Sequence, residues 1–394
     1  MKFLLLLLSV VVVHAKLAPL HRSNHRSVPD SWIIKIEDFD QVDQVADDIV
    51  SQFARMRSPI PPMTKLRHVL PLIGMKIPSF LLDKIRAIDG IEYIEMDYIV
   101  PLAASQYNPP WNLDRTDSRL GMDGFYNYNA SVQGKGVDIY LIDTGVQPNH
   151  VAFGGRVSLL YGAKDNDGHG THCAGIAAGD VYGLAREANI LSMKVCNPMC
   201  VTWKMLECFD LVLTHGGSKG GVVSVSIGGD PNYQVVTNAV NRLWHGGYLV
   251  SWAAGNENMD ACRLHPQRGN NLIVAGASNK YDGLPGFTNW GPCVDIFAPG
   301  GDIRSARYSE HSNTDSIVYS GTSMSAPHVA GSAALYYGLQ GSSATPASVK
   351  KAILDSSTKD ALSNTKGSPN RLLYVNFLTN PATHQKIDKD EPAK

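Results

Sequence analysis

Val137-Asp138-Ile139-Tyr140-Leu141-Ile142-Asp143-Thr144-Gly145 is an almost unbroken apolar run that ends on an acid and a glycine turn. The texture recurs from about residue 112 onward: Ile190 to Val195, Val222 to Ile227, Tyr248 to Ala253 and Leu272 to Ala277 are equally short and apolar. Gly-rich turns separate these runs, and helical patterns lie between several of them. A strand that is apolar nearly throughout, rather than at every second residue, has both faces buried. Such strands alternating with helices predict an α/β domain, a doubly wound, mostly parallel sheet with helices on both faces. Chemistry in sheets of this kind collects at the carboxyl ends of the strands, which is where Asp143 stands.

Toward the N-terminus the pattern changes. Trp32 to Ile36 alternates like a half-buried strand, and Val42, Val45, Ile49 and Phe53 recur at helical spacing over 41–56. An extended run over about 67–77, a second helix carrying Leu81, Leu82, Ile85 and Ile88, and a strand from Tyr93 to Val100 follow. The order βαββαβ over 31–100 describes a small α+β unit of ferredoxin-like type. Residues 101–111 read as a linker. At the start, Lys2 precedes the apolar run Phe3–Leu8 and Val10–Val13, with Ala15 beyond it. This describes a secretory signal peptide over residues 1–15. A membrane anchor needs about 20 apolar residues, and the run ends sooner. The expectation is a secreted protein that does not stay in a membrane, with a polar tail over 380–394.

Charge selects no partner. Lys and Arg number 35 against 36 Asp and Glu, a formal net charge of -1, so no basic field argues for nucleic acid. Six cysteines in an exported chain lead to an expectation of disulfides. Asn129-Ala130-Ser131 is a glycosylation sequon.

Three further segments carry chemistry. Asp167-Gly168-His169-Gly170-Thr171-His172-Cys173 opens a helix of small residues, and Gly321-Thr322-Ser323-Met324-Ser325-Ala326-Pro327-His328 opens another. Ala253-Ala254-Gly255-Asn256 follows a buried strand. A serine hydroxyl is a weak nucleophile until a base lies within reach of it. A neutral imidazole serves as that base once a carboxylate fixes its tautomer. The order Asp143, His169, Ser323 is the one known for subtilisin. Asn256 can donate to the oxyanion of a tetrahedral intermediate. A metal site on His169 and His172 lacks the acidic partner of a zinc-peptidase pattern. An esterase would place its serine in Gly-x-Ser-x-Gly, with the order Ser, Asp, His. A secreted binding protein that kept the fold and lost catalysis is the remaining rival, and here all four residues are present.

Four motifs in this order and spacing resemble the subtilase family, and within it the proteinase K branch. The resemblance covers about 108–378, while 31–100 is similar to the family's inhibitory propeptide. It implies a serine endopeptidase over 104–379 acting on protein or peptide substrates, autoprocessed from a zymogen whose propeptide, 16–103, inhibits it. A monomer without a catalytic cofactor is implied as well. Asp143 would orient the base, His169 would act as base and then acid, and Ser323 would attack. Asn256, the Ser323 backbone N–H and the Thr322 hydroxyl would form the oxyanion hole.

By the same resemblance Ser226, Ile227 and Gly228 would pair with an extended substrate. Ala253, Ala254 and Gly255 would line the pocket for the residue before the cut, with Glu257 at its rim. The family's Gly-rich second edge is missing; Cys196-Asn197-Pro198-Met199-Cys200 stands there and looks shortened. Cys173 would be a free thiol beneath His169, and His172 and His328 are read as structural. Cys262 would pair with Cys293. Two of Cys196, Cys200 and Cys208 would form a second bond, and the sequence leaves open which two. Asp295, with the carbonyls of Asn270 and Leu272, would bind a structural calcium ion; the competing reading of Asp295 is an ordinary surface acid.

Overall fold

The computed structural model describes residues 17–22, 27–98, 103–197, 199–217 and 220–375. The expected signal peptide and the tail over 380–394 lie outside them. The chain divides into two units, Met1–Pro101 and Leu102–Lys394.

In the first unit the elements are β1 (Leu20–His21), β2 (Ser27–Ile36), α1 (Val42–Arg55), β3 (Met63–Leu66), β4 (Leu72–Lys76), α2 (Ser79–Arg86) and β5 (Ile91–Tyr98). They form one sheet of order β1-β5-β2-β4-β3. Trp32, Ile34 and Ile36 of β2 point to one face, where Val42, Val45, Ile49 and Phe53 of α1 meet them with Leu81, Leu82 and Ile85 of α2. The apolar periodicity thus maps onto the core. Two expectations are corrected. The extended run placed over 67–77 is a strand only over β4, its first residues forming the hairpin turn that joins β4 to β3, a strand the sequence reading did not place. Ile88, placed in the second helix, lies beyond its end and packs partly buried against the same core.

The second unit begins with β6 (Ala103–Tyr107), α3 (Trp111–Asp117), β7 (Phe125–Asn129), β8 (Asp138–Asp143), β9 (Val157–Tyr161), α4 (His169–Ala178) and β10 (Asn189–Lys194). It continues with α5 (Thr202–Gly216), β11 (Gly221–Val225), α6 (Gln234–His245), β12 (Tyr248–Ala253), β13 (Ile273–Ser278) and β14 (Ile296–Pro299). The hairpin β15 (Ile303–Ala306) and β16 (Ser316–Tyr319) leads to α7 (Thr322–Gln340), α8 (Pro346–Ser356), β17 (Thr358–Lys359) and β18 (Arg371–Leu372). Nine strands form a sheet of order β17-β18-β14-β13-β12-β11-β8-β10-β9. Every pair but β17–β18 is parallel.

Side-chain alternation divides the interior into two layers. Ile139 and Leu141 face a core shared with α4, α7 and α8, while Tyr140 and Ile142 face a core shared with α5 and α6. This is the doubly wound α/β arrangement that continuous apolar strands require. After β8 the chain goes to one side of it for β9 and β10, then crosses to the other for β11 through β14. The carboxyl ends of β8, β11 and β12 consequently open onto one crevice at the switch in strand order. The linker reading of 101–111 is corrected over its middle, because Ala103–Tyr107 pairs antiparallel with β7 along its whole length.

Candidate active site

Asp143 is the last residue of β8, and its carboxylate is buried. Oδ1 accepts from the Thr144 backbone N–H at 2.7 Å and meets Nδ1 of His169, the first residue of α4, at 2.8 Å. The approach depends on Gly170, since a Cβ there would stand 2.1 Å from the Gly145 carbonyl. The fully buried Asp165 ties the two segments together. It accepts from the Thr144 hydroxyl, from the N–H groups of Asp167, Gly168 and Thr171, and from the Thr171 hydroxyl. The Thr144 hydroxyl in turn accepts from the Gly170 N–H. Burial pulls the His169 imidazole down, but the Asp143 carboxylate outweighs it and holds His169 well above the ordinary histidine value.

Ser323 is the second residue of α7, four positions before Pro327. Proline carries no N–H, so the Ser323 carbonyl has no helical donor. Two side chains take the vacancy: Ser226 Oγ donates to it at 2.8 Å and Cys173 Sγ lies 3.4 Å away. Ser323 Oγ donates back to the Ser226 carbonyl at 3.3 Å. Cys173 Sγ is also 3.9 Å from His169 Nδ1, and burial pushes its thiol up. Through Cys173 and Ser226, the start of α7 is thus coupled to α4 and to the carboxyl end of β11.

Asn256 has its amide orientation set by Thr322. The Asn256 Oδ1 accepts from the Thr322 N–H at 2.9 Å and from its hydroxyl at 3.0 Å. The Thr322 hydroxyl also accepts from the Gly255 N–H. This corrects the placing of that hydroxyl in the oxyanion hole, because its only proton is committed to Asn256. Ala253, Ala254 and Gly255 follow one another at the end of β12. Gln267 Nε2 donates to the Ala253 carbonyl at 3.0 Å and Asn289 Nδ2 to the Ala254 carbonyl at 2.9 Å. Gly255 has φ +104°, and a Cβ there would meet Asn289 at 2.3 Å and Glu257 at 2.5 Å. Glu257 is exposed, and one of its oxygens accepts from Asn289. Ser226, Ile227 and Gly228 follow β11, and beside Gly228 the space is open.

His172 donates from Nε2 to the carbonyls of Ile303 and Ile317, and burial lowers it to about 4. His328 is held between the Met324 carbonyl and the Asn112 amide, and burial likewise lowers it to about 4. Neither histidine lies with Asp143. Cys262 pairs with Cys293 and Cys196 with Cys200, leaving Cys173 and Cys208 as buried free thiols among the described residues. The Cys196–Cys200 bond closes a tight loop in which the Asn197 N–H donates to the Met199 carbonyl. Asn129 ends β7 half-buried, its side chain accepting from the Ser131 N–H. The calcium expectation is corrected. Asp295 and the carbonyls of Asn270 and Leu272 do converge, but on the ammonium group of Lys350, so the residues present do not fit a divalent ion. No helix among the described residues is long and apolar enough to cross a membrane.

Comparison with known proteins places this geometry. The family model described as "Subtilase family" matches residues 134–373. Proteinase R of Parengyodontium album is 33% identical over 371 residues, 91% of this chain and 92% of that protein. Alkaline serine exoprotease A of Vibrio alginolyticus is 39% identical over 309 residues, 74% of this chain, which spans only 56% of that protein's length. A crystal structure of a cold adapted subtilisin-like serine proteinase superposes with a TM-score of 0.62 at 38% identity, covering 68% of this chain and 98% of that one. The chain belongs to the subtilase family of serine peptidases, on its proteinase K branch.

Proposed function

We propose that the chain is a secreted serine endopeptidase that matures by cutting itself. Ser323 Oγ attacks the substrate carbonyl while His169 Nε2 takes its proton. The observation that carries this reading is the 2.8 Å contact of His169 Nδ1 with Asp143. It commits one ring nitrogen as donor and leaves the other to act as base. Asn256 Oδ1 is occupied by Thr322, so its NH₂ is turned the other way, to donate to the developing oxyanion with the Ser323 N–H. His169 then returns the proton to the leaving amine, and water hydrolyses the acyl-enzyme by the same route.

An extended substrate adds as a strand along Ser226-Ile227-Gly228. Its residue before the cut enters a pocket walled by Ala253, Ala254 and Gly255, which favours small and apolar side chains. Residues 16–103 serve as the inhibitory propeptide and 104–379 as the peptidase. The first cut is intramolecular, because a tethered tail has a high effective concentration at Ser323. Purified Ser323→Ala protein tests the reading. It should keep the wild-type circular dichroism, cleave no peptide and remain unprocessed; cleavage at the wild-type rate would overturn it.

A further inference from the structure

Lys350 sits in α8, five residues beyond the Thr345 cap, with its side chain directed at the sheet. Its Nζ stands 2.6 Å from the Leu272 carbonyl, 3.2 Å from the Asn270 carbonyl and 2.9 Å from Asp295 Oδ1. An ammonium group has three N–H donors and no acceptor, so three oxygens complete it. The carboxylate is fixed independently of the lysine, since Asp295 Oδ2 accepts from the Val274 N–H at 2.9 Å and the Asp295 N–H donates to the Val274 carbonyl. The two side chains are only 17% and 21% exposed.

Two backbone carbonyls and a rigid carboxylate, all hard oxygens, are the donor set of a cation site. A calcium ion would need its ligands at about 2.3–2.6 Å with further oxygens or waters completing six to eight. The space where it would stand is taken by a group of the same sign. We propose that Lys350 is a resident cation. It neutralises this oxygen cage in place of a metal, makes the site indifferent to divalent ions, and leaves behind a calcium-binding site when its ammonium is removed.

The test is thermal unfolding of the mature protein, inactivated with a serine-directed sulfonyl fluoride so that autolysis does not intervene. Wild type, Lys350→Ala, Asp295→Asn and Lys350→Ala/Asp295→Asn are each melted in EDTA, in calcium chloride and in magnesium chloride. Lys350→Ala should melt below wild type in EDTA. Calcium should raise its Tm by about 3 °C or more beyond any rise in wild type, on the scale of roughly 1 kcal/mol of ligand linkage in a domain of this size. Magnesium, which demands near-octahedral ligands and sheds water reluctantly, should do much less. The double variant should lose the extra calcium effect. If Lys350→Ala gains no calcium-dependent rise over wild type, the cage is not a latent cation site and the proposal fails. It fails equally if wild type shows a calcium-dependent rise that Asp295→Asn alone abolishes. Should the alanine variant not accumulate, this last comparison decides: no Asp295-dependent rise in wild type upholds the proposal.

Discussion

The side-chain oxygen of Asn256 is held by two donors from one residue, the backbone N–H and the hydroxyl of Thr322. Thr322, next to the proposed nucleophile, thereby sets the orientation of the amide proposed to face the substrate. Thr322→Val keeps the branched shape and removes one donor. Its kcat should fall about tenfold with KM nearly unchanged, the effect of losing one hydrogen bond felt in the transition state. Thr322→Ser should retain most activity. Asn256→Ala should fall further, by the factor of about 10²–10³ measured in subtilisin itself for its oxyanion asparagine. Equal losses in KM and kcat for Thr322→Val would assign the hydroxyl to substrate binding instead.

The pH profile should follow His169. The imidazole is a base only when neutral, and its folded value is raised. Activity should therefore disappear as pH falls through that value. The acid limb of kcat/KM should lie above the ordinary histidine value of about 6.5. Stability runs the other way: the charged imidazole stabilises the fold fully below its unfolded value, and this is lost as pH rises through the folded one. Asp143→Asn should move the limb downward as it lowers kcat. A wild-type limb at or below the ordinary value would contradict the role given to Asp143.

Cys173 is buried and protonated against His169 and the Ser323 carbonyl. A mercurial small enough to enter should inhibit by placing a metal atom beside the imidazole, whereas iodoacetamide should react slowly for want of thiolate and access. Cys173→Ala should stay active and lose the mercurial sensitivity. If that variant were still inhibited, Cys208 would be the thiol responsible.

Maturation should end between Ala103 and Ala104. Alanine before the cut matches the pocket proposed at Ala253, Ala254 and Gly255. N-terminal sequencing or intact mass of the secreted product should give a start within about two residues of Ala104, the usual margin of a boundary read from sequence. A start upstream of Tyr93 would leave the last strand of the small unit attached to the working enzyme and would refute the assignment.

How much of this could be read from residues alone depended on how local the signal was. The strands bearing Asp143 and Ala253 announced themselves because burial on both faces demands apolar residues in sequence. β6 did not, because Ala103-Ala104-Ser105-Gln106-Tyr107 has no strong preference and owes its form to β7. Pro327 was visible but its effect was not, since the carbonyl it frees is satisfied by Ser226, 97 residues earlier in the chain. Asp165 stands two residues before the histidine motif, in a polar loop where its residue type alone does not mark it out. Lys350 gave no sign at all: two of its three partners lie 78 and 80 residues before it and are backbone atoms, which leave no mark on a sequence.

The bond between Cys262 and Cys293 closes a loop that contains both Gln267 and Asn289, the two amides that clasp the carbonyls of Ala253 and Ala254. The clasp is thus mounted on a stretch of chain whose two ends are joined only after oxidation. In the proposed mechanism, selectivity for the residue before the cut is thereby tied to thiol chemistry that takes place elsewhere in the sequence. A molecule whose triad is complete but whose thiols are still reduced has its nucleophile in place and its pocket wall on a slack loop. In such a molecule the proposed self-cutting would start before discrimination was finished, so the order of oxidation and self-cutting would decide which bonds a young enzyme attacks.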